Sequence, residues 1–120
     1  MDVNNNPLSK KSYAFALKIV LLYKSILQEK KEYVLSKQPL KSATSIGANI
    51  AEANGAISKN DFSAKISIAY KESLETKYWL RLLSDSNFIS EEKVKVLIKD
   101  ADELSRIMFS ILKTTGIDQK

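Results

Sequence analysis

Ser45, Asn49 and Glu52 recur at the four- and three-residue spacing that places side chains along one helical face. Further on, Glu72, Ser73 and Glu75 set two carboxylates beside a hydroxyl. If the two groups converge, they could hold a hard cation through carboxylates, or form a hydrogen-bonded network that fixes how two helices pair. Nucleophilic or general-base catalysis is harder to build, because the chain contains no His. That removes a Ser-His-Asp arrangement, the usual zinc ligand and the Glu-x-x-His motif of di-iron bundles. There is no Cys either, hence no thiolate site and no disulfide framework. Ser45, Asn49, Glu52, Glu72, Ser73 and Glu75 therefore read as a structural polar network. No catalytic residue, metal or cofactor is assigned, and the chain reads as a non-enzyme.

A second constellation is Tyr70, Lys77 and Arg81, whose spacing sets an aromatic ring and two cations on one helical stripe. Cations meet phosphates and an exposed ring stacks on an unpaired base, so this stripe is a candidate nucleic-acid surface. The alternative is a solvated face or a subunit contact. Trp79 lies on a different face, beside Glu75, and reads as an interface or core anchor.

The net charge of +5, from 19 Lys and Arg against 14 Asp and Glu, permits an anionic partner without demanding one. RNA or DNA is one expected partner, and a protein bound by a pure scaffold is the alternative. The opening Met-Asp-Val-Asn-Asn-Asn lacks the basic and apolar regions of a signal peptide. No apolar run is longer than that of Ile19–Tyr23, which is bounded by Lys18 and Lys24 and far short of the roughly 20 residues that span a bilayer. A soluble, cytoplasmic protein with no membrane contact is expected.

These side chains must be positioned by helices, since only three Gly and two Pro occur and no stretch alternates long enough for a sheet. One domain accounts for 120 residues. Residues 1–8 are expected as a disordered tail, 9–116 as a four-helix bundle domain and 117–120 as a C-terminal tail. Helix 1 should run from near Ser9 to Lys31. It carries two apolar faces, one of Tyr13, Ala16, Val20, Tyr23 and Leu27 widened by Leu17 and Leu21, the other of Phe15, Ile19, Leu22 and Ile26. A small bundle covers one such face, so the excess implies a subunit interface.

Glu32 to Gln38 reads as a connection with Ser36 as N-cap and Pro39 in the first turn of helix 2. Helix 2 should end near Asn54, with Gly55 left-handed. It carries Ala43, Gly47 and Ala51, small residues four apart that would let a neighbouring backbone approach. Ser58 should cap helix 3 (Lys59 to Ser84), whose core face is Phe62, Ile66, Ala69, Ser73, Thr76, Leu80 and Leu83, with the Tyr70 stripe opposite. Ser90 should cap helix 4, which has the cleanest heptad pattern, from Val94 to Leu112, and ends at Gly116. Short connections make the fold class all-α, an antiparallel up-down-up-down four-helix bundle.

The segment Leu40-Lys41-Ser42-Ala43-Thr44-Ser45-Ile46-Gly47-Ala48-Asn49-Ile50-Ala51-Glu52 resembles the signature helix of the 23S rRNA intervening-sequence protein family, in which S-I-P-A-N-I-A-E-G is typical. Phe62, Ile68-Ala69, Ser73-Leu74, Glu75-Thr76 and Asn87-Phe88-Ile89-Ser90-Glu91-Glu92 resemble its downstream segments. Gly47 stands where Pro is common and Ala53 where Gly is common. The acidic segment is shortened, leaving either Glu72 or Glu75 in the place of the family's acid. The resemblance implies an antiparallel four-helix bundle assembling as a homopentamer, with no defined biochemical role. The fold is also similar to the accessory variability protein of diversity-generating retroelements, a basic pentamer that works with a reverse transcriptase and nucleic acid.

Overall fold

In the computed structural model, residues 6–115 are described, and they form four helices: α1 (Pro7–Lys30), α2 (Lys37–Asn54), α3 (Lys59–Asp85) and α4 (Glu91–Thr115). Gly116 and both chain ends beyond these residues lie outside the described part. The helix starts follow from capping chemistry. Asn6 accepts a hydrogen bond from the Ser9 amide at 2.8 Å, and Pro7 fills the first helical position, so α1 begins two residues before Ser9. The Ser58 hydroxyl accepts from the Asp61 amide at 3.0 Å, and Ser90 from the Lys93 amide at 3.2 Å, as their positions imply.

Two caps differ from expectation. Ser36 sits in helical backbone and makes no side-chain cap; its hydroxyl donates instead to the Glu32 carbonyl at 2.9 Å. Glu32 does the capping, its carboxylate accepting from the amides of Val34, Leu35 and Ser36 at 2.8–2.9 Å. Burial raises the Glu32 carboxyl's proton affinity, but these amides outweigh it and hold the group below the ordinary value of 4.5. Gly55 is not left-handed, with φ −102°. Left-handed residues follow α1 and α3 instead: Asn87, at φ 68°, and Lys31, at φ 53° and ψ 35°, whose amide closes α1 on the Leu27 carbonyl.

Cross-helix contacts set the topology. On α1 and α2, Asn6 and Ser9 reach Asn54 while Ser12 lies over Gly47. On α2 and α3, Ser42 meets Thr76 while Glu52 meets Lys65. On α3 and α4, Ser73 meets Ser105 while Lys77 meets Asp102. On α4 and α1, Lys11 pairs with Glu103 and Lys18 with Asp100. In each pair the later residue of one helix meets the earlier residue of the other, so all four neighbours run antiparallel in an up-down-up-down bundle. The α1–α4 seam is the thinnest.

The core is filled by Phe15, Ile19 and Ile26 of α1, Ile46 and Ile50 of α2, Ile66, Leu80 and Leu83 of α3, and Leu104, Met108 and Leu112 of α4. Of the two apolar faces of α1, the bundle takes that of Phe15, Ile19, Leu22 and Ile26. On the other, Ala16, Val20, Tyr23 and Leu27 are half-buried, while Tyr13 is 73%, Leu17 50% and Leu21 57% exposed.

Candidate functional site

The six residues of the polar network divide into four arrangements. Ser45, Asn49 and Glu72 meet at the α2–α3 seam. The Asn49 amide donates to the Ser45 hydroxyl at 3.1 Å and to its carbonyl at 2.9 Å, and Ser45 in turn donates to the Glu72 carboxylate. Partial burial, then the neighbouring Glu75 charge, raises the Glu72 carboxyl above 4.5, against the lowering effect of Ser45. Glu75 itself is exposed and accepts from the Trp79 indole N–H at 2.9 Å. Trp79 is half-buried and meets the Tyr78 ring edge-on at 5.0 Å.

Glu52 stands apart, exposed and 2.9 Å from Lys65, whose ammonium it holds above its ordinary proton affinity through a hydrogen bond and charge. Ser73 faces the opposite way, into the α3–α4 seam. It donates to the Tyr70 carbonyl at 2.6 Å, so the hydroxyl contact at 2.7 Å with Ser105 is one in which Ser105 donates to Ser73 or shares its proton with the Ala101 carbonyl. Ser73 sits about 100° round α3 from Glu72, so its hydroxyl turns to α4 while Glu72 turns to α2.

A hydroxyl pair at the α2–α3 seam was not singled out from sequence. Ser42 and Thr76 approach to 2.7 Å, both fully buried, and Thr76 also donates to the Glu72 carbonyl at 2.8 Å. The signal was present in the placing of Ser42 and Thr76 on apolar faces, where a hydroxyl is kept only with a partner. Every buried side-chain nitrogen or oxygen among the described residues has one. No group of three or more Asp, Glu, His or Cys among them could hold a metal ion.

The Tyr70, Lys77 and Arg81 stripe does not lie opposite the core. Tyr70 leans on Phe109 of α4, ring centroids 5.8 Å apart, and Lys77 lies 3.3 Å from Asp102 with its side chain largely covered. Both belong to the α3–α4 seam, because α4 packs further round α3 than the apolar positions alone suggest. Arg81 remains exposed and takes part in no ion pair among the described residues.

A groove of about 640 Å³ runs between α1 and α2. Tyr13, Ala16, Leu17 and Val20 form one wall; Thr44, Gly47, Ala48 and Ala51 form the other. Small residues on α2 thus leave a channel beside the uncovered face of α1. Gly47 does not bring the backbones into contact: a Cβ there would lie 3.8 Å from the nearest atom, the Ser12 carbonyl oxygen.

Fold and site together define an all-α antiparallel bundle, stitched by buried hydroxyls and carrying an unspent apolar groove. The chain belongs to the 23S rRNA-intervening sequence protein family, whose model matches residues 4–110. It is similar to a protein of unknown function from the S23 ribosomal protein family of Bacteroides thetaiotaomicron. That crystal structure shares 47% identity, covers 88% of this chain and 98% of its own, and superposes with a TM-score of 0.87. No curated protein matches the chain. Among the described residues no helix is long and apolar enough to cross a membrane.

Proposed function

We propose that the protein is a non-catalytic bundle that self-assembles through α1 and presents a basic surface to RNA or DNA. The observation that carries the reading is the second face of α1. Tyr13, Leu17 and Leu21 are large, apolar and half exposed or more, on a helix whose opposite face already fills the core. A contiguous apolar strip beside an apolar groove marks a contact surface. The family resemblance supports five as the number of subunits. The net charge of +5 supports the nucleic-acid part, with Arg81 the exposed member of the stripe. A scaffold that binds only protein uses the same apolar face and leaves the charge to solubility.

Size-exclusion chromatography with light scattering tests the assembly. A mass near five chains is expected, and Leu17→Glu should release monomers with unchanged helical circular dichroism, because Leu17 contributes little to the core of its own chain. A wild-type monomer at micromolar concentration would overturn the assembly reading.

A further inference from the structure

The corner where α1 turns into α2 combines features that the fold does not use. Lys30 and Lys31 end α1, and Lys37 and Lys41 lie one turn apart on α2; all four are exposed. None of them takes part in an ion pair among the described residues, whereas Lys11, Lys18, Lys65, Lys77 and Arg106 each do. Two acids lie within the segment, and both are occupied. Glu29 accepts from the Ser25 hydroxyl at 2.7 Å, and Glu32 has both oxygens turned to its own backbone amides. Glu32 therefore braces the connection and cannot swing onto a lysine without uncapping it.

On that braced connection Tyr33 is 57% and Val34 71% exposed. A ring displayed on a fixed turn loses little conformational freedom when something stacks on it. The left-handed residue closing α1 is also informative. Gly or Asn suits such a position, and a side chain with a Cβ is disfavoured there. Lys31 occupies it, yet its side chain makes no hydrogen bond or ion pair among the described residues. The sequence holds a cation where backbone stability alone selects Gly.

We infer that this corner binds single-stranded nucleic acid, with Lys30, Lys31, Lys37 and Lys41 meeting successive phosphates and Tyr33 stacking on an unpaired base. A basic groove that tracks a backbone, with an aromatic ring for the bases, is the general form of such sites. An anionic membrane would call for a broad apolar face beside the cations, and the corner offers only Val34 next to the ring. The inference rests on the nucleic-acid part of the proposed function and moves its site away from Tyr70, Lys77 and Arg81, two of which are engaged by α4.

The test is fluorescence anisotropy of labelled oligo-U and oligo-dT, about twelve nucleotides each, over a series of salt concentrations with the full chain. The wild type should bind at least one of them, more weakly as salt rises. Lys37→Glu with Lys41→Glu should weaken binding by at least about tenfold and flatten the log–log salt dependence by about 1.4, the value for two lost phosphate contacts on a single strand. Tyr33→Ala should weaken binding with the salt dependence unchanged, and Tyr33→Phe should restore it. Lys31→Gly should weaken binding while the melting temperature stays level or rises, an outcome that misfolding cannot imitate. Lys93→Glu with Lys99→Glu, the same change in net charge elsewhere, should have a much smaller effect.

If the two charge-reversed pairs behave alike, or if Tyr33→Ala changes nothing, the corner is not the site although nucleic-acid binding stands. If the wild type binds neither oligonucleotide at low salt, the nucleic-acid reading fails and the corner with it. Capture by phosphatidylserine vesicles in the absence of oligonucleotide binding would likewise overturn the inference in favour of a membrane surface.

Discussion

The hydroxyls of Ser42 and Thr76 meet 2.7 Å apart between α2 and α3, with no other polar side chain needed to complete them. Thr76 donates at 2.8 Å to the Glu72 carbonyl, while the Ser42 alternative, the Pro39 carbonyl, is 3.4 Å away. The better geometry of the first bond makes Ser42 the donor across the seam. The contact favours one rotation of α2 against α3, since a turn of either helix would break this bond and leave Ser42 only the 3.4 Å contact with the Pro39 carbonyl.

The pair should therefore be coupled. Ser42→Ala and Thr76→Val should each cost about 1 kcal/mol, the usual net value of one buried hydrogen bond. The double variant should cost clearly less than the two singles together, because removing both partners leaves no orphan. Urea denaturation of the four proteins measures this, and strict additivity would show that the hydroxyls do not depend on each other.

Glu72 should make stability depend on pH in the unusual direction for a carboxylate. Its folded proton affinity is raised, first by burial and then by Glu75, so its contribution is fully present below the unfolded value of 4.5. That contribution is lost as pH rises through the raised folded value. Glu72→Gln, which keeps an oxygen for Ser45, should raise the melting temperature at pH 7, with the gain vanishing below pH 4.5. Glu32 acts oppositely: its folded value is lowered, so what it contributes is present above 4.5 and lost as pH falls through that lowered value. A Glu72→Gln variant less stable than the parent at pH 7 would show that the charge is wanted.

Gly47 lies inside α2 with room for a methyl group, the nearest atom to an added Cβ being 3.8 Å away. Gly47→Ala should stabilise the folded chain by up to about 1 kcal/mol, the difference in helix propensity. Calorimetry that found a loss of that size instead would mean that α1 and α2 approach more closely in the assembled protein than within one chain.

Much of this molecule follows from local chemistry written along the chain. Ser58 and Ser90 cap because a hydroxyl before an acidic first turn satisfies free amides whatever the fold, and apolar periodicity sets all four helices by the same local logic. The family is legible in the Ser42–Glu52 helix for a related reason, since that pattern of small and polar residues is carried by one element. What the sequence could not decide is which neighbour each face meets. Two apolar faces on α1 are equivalent on a helical wheel, and only the rotation of α1 against the other three helices sends Phe15 inward and Leu17 outward. The rotation of α3 between α2 and α4 likewise puts Ser73 against Ser105 rather than with Asn49. It engages Lys77 with Asp102, and so dissolves a stripe that looks free on an isolated helix. Lys31 shows the same limit at the backbone level: nothing in its residue type favours the left-handed conformation, and the Glu32 clamp, closing on three amides beyond it, turns the chain there. Helical periodicity is a property of one element, whereas burial and pairing depend on the positions of all four.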